Sequence, residues 1–176
     1  MSLSVAAVSR EAGTSPATFY IYFKDIADIV YELARRASNE LDPILEVLRQ
    51  WRGGLSPRAG ATAFVETYRS YWNQHRLILN IRNLEADRGD ARFLTMRAEV
   101  GGRVIAELAS LILEGKPAAG LSRKDALARA TVVYSAIERL AATERLYPAP
   151  APGQPSREDV AAAEVDILVD LIAPRR

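Results

Sequence analysis

Apolar residues in this chain recur at intervals of three and four, and no stretch alternates with period two for long enough to make a strand. That single feature restricts the chain to an all-α fold. The periodic segments are long, and the 10 glycines and 9 prolines cluster between them instead of scattering through them, so they act as punctuation. With 176 residues the chain suffices for one domain, or one domain with a small appendage, and can bury roughly 70% of its unfolded surface without a disulfide or metal staple.

The punctuation gives seven to eight helices. Ser4 to Ala12 forms a short helix ended by Gly13, and Ser15-Pro16 opens the next with a capping serine and a proline at the first helical position, running to about Tyr22. A long helix starts near Asp25 and carries Ile26, Ile29, Val30, Leu33, Ala37 and Leu41 on one face. A kink is expected at Asp42-Pro43, with the stripe resuming through Ile44, Leu45 and Leu48 to Trp51. The next helix, rich in aromatics, runs from Arg58 to Asn73 and onward, with a bend, to Glu85. Arg88-Gly89-Asp90 reads as a turn and cap before a helix reaching Gly115, whose Gly101-Gly102 pair costs about 2 kcal/mol of helix propensity and implies close approach of a neighbour. Ser122 and Asp125, then Ser156 and Asp159, look like capping boxes with the shorter acid. They open helices reaching about Tyr147 and Ala173, joined by the proline-rich segment containing Pro148, Pro150, Pro152 and Pro155.

Composition excludes several function classes. The chain has no Cys and one His, His75, so it has no thiolate zinc site, thiol nucleophile or multi-histidine metal centre. No nucleophile–base pair, metal set or phosphate loop is recognisable, so neither an enzyme nor a cofactor is expected, and His75 reads as a helix-bend or surface residue. A formal charge of +1 offers no global attraction to nucleic acid or membrane. No run is apolar for the roughly 20 residues a bilayer span needs, and Met1-Ser2-Leu3-Ser4 lacks a signal-peptide layout, so a cytoplasmic protein with no membrane partner is expected.

Two short helices joined by a glycine turn, the second opened by Ser-Pro, have the layout of a helix-turn-helix. The run Glu11-Ala12-Gly13-Thr14-Ser15-Pro16-Ala17-Thr18-Phe19-Tyr20-Ile21-Tyr22-Phe23-Lys24, followed at once by a long amphipathic helix, closely resembles the DNA-binding segment of the TetR family of transcriptional repressors. The likeness covers Leu3 to Leu33. Within the family, the aromatic run and Glu138-Arg139 resemble the type of repressor that controls ethionamide activation. Where that type places ligand-binding asparagines stand Tyr134 and Ile137, so its ligand preference does not transfer.

The resemblance implies a helix-turn-helix in residues 1–45 and a C-terminal bundle for ligand binding and dimerisation in residues 46–176. It also implies one more helix ahead of Leu3, so the three-helix DNA-binding unit is expected to lack its first member. Residues 1–40 hold four basic residues against five acidic ones, a net of −1, and weak DNA binding is expected. Ser4, Thr14, Ser15, Ala17 and Thr18 are candidates to approach DNA, with small side chains near base edges. Tyr20, Tyr22 and Lys24 are candidates to hold phosphates, or to be simple packing residues. Phe19 and Phe23 read as core.

Phe64, Tyr68, Trp72, Met96, Val100, Thr131, Tyr134 and Glu138 lie on the three helices the family folds around its ligand, and their aromatics imply an apolar or aromatic small-molecule effector. Glu138 is either an orienting acceptor or an ion-pair partner. On the last two helices Val133, Ile137, Leu140, Val165, Leu168 and Ile172 are the candidate homodimer interface, or else intramolecular core. The function implied is a ligand-responsive, DNA-binding repressor released from operator DNA by its effector. The alternative is a dimeric helical ligand-binding protein that does not bind DNA.

Overall fold

A computed structural model of the chain describes residues 4–115, 120–144 and 151–173. Among them are eight helices and no strand: α1 (Val5–Glu11), α2 (Pro16–Tyr22), α3 (Ile26–Asn39), α4 (Asp42–Arg52), α5 (Pro57–Asp87), α6 (Ala91–Gly115), α7 (Arg123–Thr143) and α8 (Arg157–Ile172). None is long and apolar enough to cross a membrane.

Local chemistry sets the helix starts. The Ser4, Ser15 and Ser56 hydroxyls accept from the amides of Ala7, Thr18 and Ala59, and the Asp25 carboxylate accepts from Asp28. Both expected capping boxes form, each acid reaching back to the serine amide, at 3.2 Å for Asp125 and 2.8 Å for Asp159. Asp90 caps the next helix by accepting from the Arg92 amide at 2.9 Å, after Gly89 turns the chain at φ +93°.

Two boundaries differ from the sequence reading. The kink at Asp42-Pro43 is a full break: α3 ends at Asn39 and α4 starts afresh at Asp42. A continuous helix would drive the Pro43 ring against the carbonyl four residues earlier, on Asn39. Conversely, the expected bend after Asn73 is absent and α5 is one helix of 31 residues, about 46 Å long at 1.5 Å per residue. The expected end near Tyr147 lies outside the described residues, as do Pro148 and Pro150.

That long helix is the axle of the molecule. It packs against α3, α4, α6, α7 and α8. Phe64, Val65, Tyr68, Trp72 and Leu79 from α5 form one buried core with Leu41 to Trp51, Val104, Leu108 and Ile112 of α6, Ile137 of α7 and Leu168 of α8. A smaller core of Ala34, Ala86, Phe93 and Met96 fastens α3 to α5 and α6. Glycine permits the closest approaches: a Cβ on Gly60 would lie 2.2 Å from the Trp51 ring, and one on Gly115 would lie 2.1 Å from the Ile172 carbonyl oxygen. Gly101 similarly lets α6 settle on Tyr134, 3.1 Å from where its Cβ would be, whereas Gly102 faces open space. Of the glycine pair, only the first serves a close contact.

Candidate functional site

At the N-terminal end α1 and α2 pack together across a tight turn in which Gly13 takes φ +63° and the Thr14 amide bonds the Ser9 carbonyl at 2.8 Å. Phe19 is the buried residue of α2, its ring 5.5 Å from Phe23. The rest of that helix faces outward. Thr14, Ser15 and Ala17 are exposed, and Tyr22, at 73% exposure, leads to exposed Lys24. The Ser15 hydroxyl is shared between its capping bond and Thr18 Oγ1, at 3.0 Å. Ser4 and Tyr20 are also exposed. One end of the protein thus presents a short helix whose N-terminal turn carries small polar groups and whose C-terminal end carries phenols and a cation. Phosphate and base-edge contacts need groups of this kind.

The Lys24 backbone amide donates to Asp28, at the start of α3. From there α3 joins the core through Ala34 and Ala37.

In the bundle, seven of the eight candidate ligand residues are buried: Phe64, Tyr68 and Trp72 of α5, Met96 and Val100 of α6, and Tyr134 and Glu138 of α7. Thr131 is not with them. It is exposed on the far side of α7, its hydroxyl donating to the Leu127 carbonyl. Tyr68 and Tyr134 meet edge to face at 5.8 Å, and the Tyr68 hydroxyl donates to that of Tyr134 at 3.2 Å. Burial, reinforced by the negative charge of Glu138, raises the Tyr134 phenol to about 12 and pushes Tyr68 well above its ordinary value. Both phenols stay protonated at physiological pH.

Glu138 is the buried charge at the centre of this cluster. One oxygen accepts from Arg82 at 3.3 Å, and the other lies 3.5 Å from Arg97. Arg82, from α5, is only 1% exposed, its guanidinium also donating to Asn83 Oδ1. The sequence leaves Glu138 open between ligand acceptor and ion pair, and the ion pair is present. Arg82 is not among the sequence candidates, although its place between Ile78 and Ala86 at intervals of four marks an arginine set into an apolar row.

The six candidate interface residues divide. Val133, Ile137, Val165, Leu168 and Ile172 are turned into the chain's own core, while Leu140 is partly exposed. The apolar surface of α7 and α8 is formed instead by their other faces. An open groove of about 510 Å³ runs between the helices, lined by Val132, Ala136, Leu140, Ile167 and Leu171, with Val132 72% and Ile167 53% exposed. The i, i+4 row Ala128, Val132, Ala136, Leu140 is its signal in the sequence.

His75 is not at a bend, since α5 runs through it unbroken. It sits within α5, half-buried, with Nε2 3.1 Å from Glu40. No cluster of three or more metal-ligating side chains occurs among the described residues.

Two short helices across a tight glycine turn, at the end of an all-helical bundle, define the class: a helix-turn-helix protein with an attached α-helical domain. Residues 44–148 match the family model described as Tetracyclin repressor-like, C-terminal domain, and the chain belongs to the TetR family of transcriptional regulators. Two solved structures share its fold. One is a protein of unknown function from Rhodococcus sp. RHA1, with a TM-score of 0.67 at 22% identity over 97% of this chain and 85% of that one. The other is the TetR family transcriptional regulator PfmR from Thermus thermophilus, with a TM-score of 0.59 at 17% identity over 96% of this chain and 88% of that one.

Proposed function

We infer that this regulator is a homodimeric repressor released from operator DNA by a largely apolar or aromatic small molecule, with residues 1–45 reading DNA and residues 46–176 binding effector and partner. The observation that carries the reading is the exposed first turn and the phenols of α2, joined through the short segment Phe23-Lys24-Asp25 to α3 and so to the bundle. Thr14, Ser15, Ala17 and Thr18 are assigned to base edges, and Tyr20, Tyr22 and Lys24 to phosphates. Ser4, the N-cap of α1, is assigned to the DNA-facing end with them. The effector is assigned to the region of Phe64, Tyr68, Trp72, Met96, Val100 and Tyr134, beside Glu138.

The charge-poor α7–α8 groove supports dimerisation, since an exposed apolar strip of this kind is more typical of an interface than of free surface. In such a dimer the reader helices address two half-sites about 34 Å apart. An effector that prefers the dimer with misplaced readers shifts the population away from the DNA-bound form. Coupling of about 1–3 kcal/mol gives roughly 5- to 150-fold release.

Fluorescence anisotropy on duplex DNA from beside the protein's own gene, against a scrambled duplex at two salt concentrations, tests the reading. Selective, salt-sensitive binding that loses about one unit of salt slope in Lys24→Ala supports it. Equal binding to both duplexes would count against self-regulation. No DNA binding at all would favour a helical ligand-binding protein, the reading to which the net charge of −1 over residues 1–40 inclines.

A further inference from the structure

A cleft of about 590 Å³ opens between α3 and α6, away from the packed aromatics of α5. Met96 and Val100, both buried, give it an apolar wall, and Tyr31 forms one flank. Three guanidiniums line it, from Arg35 on α3 and from Arg92 and Arg103 on α6, against a single lining carboxylate, Glu99. Ser38 lines it too. That serine is 4% exposed, and its hydroxyl has no hydrogen-bond partner among the described residues.

A buried hydroxyl without a partner is costly unless something completes it. The cations are arranged in a graded way. Arg35 is clamped by Glu32 through bonds of 2.9 and 2.7 Å, and these, with a further bond from Arg36, hold the Glu32 carboxyl down at about 2. Arg92 is held by Asp90 and lies 5.3 Å over the Tyr31 ring. Arg103 is the loosest, 3.6 Å from an Asp42 that is almost wholly exposed. An exposed pair of that kind contributes little, so exchanging Asp42 for a ligand anion costs little. The outer acids Glu32, Asp90 and Asp42 offset the cations at long range but do not line the cleft.

We propose that the α3–α6 cleft is a binding site for a small organic anion with a flat apolar body, its acid group on Arg103 and its body against Tyr31, Met96 and Val100. The apolar wall selects against inorganic anions. The cations select against the neutral hydrocarbon. Because the cleft is bounded by α3, an occupant separates or clamps the helix that carries α2. This regulatory consequence rests on the DNA-binding reading above, whereas binding itself does not.

The test uses 8-anilinonaphthalene-1-sulfonate, an aromatic anion, and N-phenyl-1-naphthylamine, its neutral counterpart, each titrated by fluorescence onto the intact protein. One anionic probe per chain is expected. Arg103→Gln should weaken it roughly fivefold, and Glu99→Gln should strengthen it roughly two- to fivefold, with the neutral probe unchanged in both. Both positions are exposed on α6, and unaltered thermal unfolding confirms that the variants fold. Anionic-probe affinity indifferent to both substitutions, or absent altogether, overturns the proposal. So does an affinity lost in Ile167→Asp instead, which would place the probe in the α7–α8 groove. Failure of DNA binding in the anisotropy experiment leaves these outcomes untouched.

Discussion

Removing the carboxylate of Glu138 isolates the largest electrostatic liability in the core. Arg82 is almost fully enclosed, and its Nη1 has no partner among the described residues. Glu138 Oε1 faces the Nη2 atom at 3.3 Å, and at an effective dielectric constant near 20 that separation corresponds to about 5 kcal/mol of attraction. In Glu138→Ala the attraction disappears while the desolvation of Arg82 remains, and Arg97, 3.5 Å from the same carboxylate, becomes a neighbouring like charge. The expected loss is about 3–5 kcal/mol, a third or more of the stability of many domains. The paired replacement Arg82→Met with Glu138→Leu removes both charges and is expected to be neutral or stabilising by about 1–4 kcal/mol. Urea unfolding followed by Trp51 and Trp72 fluorescence reads both, with protein concentration held fixed because self-association shifts apparent stability. A loss below about 1 kcal/mol in the single variant, or a paired variant weaker than the single one, would refute the assignment of Glu138 as the counterion of a buried cation.

Gly60→Ala places a methyl group inside the Trp51 ring position and should cost roughly 1–3 kcal/mol net, even after the gain in helix propensity, with red-shifted Trp51 emission as its signature. Ser15→Ala removes the cap of α2 and should cost about 1 kcal/mol, read as faster amide exchange in α2. Ile167→Asp puts a charge into the apolar groove and should turn a dimer into a monomer in sedimentation at micromolar concentration; an unchanged sedimentation coefficient would move the interface elsewhere. Burial raises the Glu164 carboxyl above its ordinary value, a shift only partly opposed by Arg69 at 3.2 Å. Its contribution to stability is therefore present below the ordinary glutamate value and lost as pH rises through the raised one. Glu164→Gln should accordingly be more stable than the parent at pH 8, with the difference closing towards pH 4 in parallel urea titrations.

What can be read from the sequence divides along the range of the interactions. Caps and turns are local chemistry, so Ser15-Pro16, Ser122 with Asp125, Ser156 with Asp159, and Gly89-Asp90 can be placed without any tertiary information. The helix-turn-helix is legible for the same reason, since its glycine, cap and aromatics lie within one short run. Orientation about the axis of α7 is not. Ala126, Ala130, Val133, Ile137 and Ala141 make one apolar row, and Ala128, Val132, Ala136 and Leu140 make another, so periodicity alone offers two equally apolar faces. Packing against α5 and α6 decides between them. It turns the first row inward, where Gly101 admits Tyr134, and leaves the second beside Ile167 on the surface. The buried arginine is illegible for a related reason: on a single helix, Arg82 is an ordinary charge among charges. Only when α5 meets α7 does it face Glu138, 56 positions further along the chain. The aromatic ligand candidates, legible as types, are packed against one another, whereas the open cleft lies between α3 and α6. Its Arg35, Ser38 and Arg103 belong to two helices whose adjacency no local pattern encodes. Side-chain type thus locates the helices, but the pairing of helices determines which side chains share a site, and in this regulator that pairing sets an arginine-lined cleft directly against α3, the helix that follows α2.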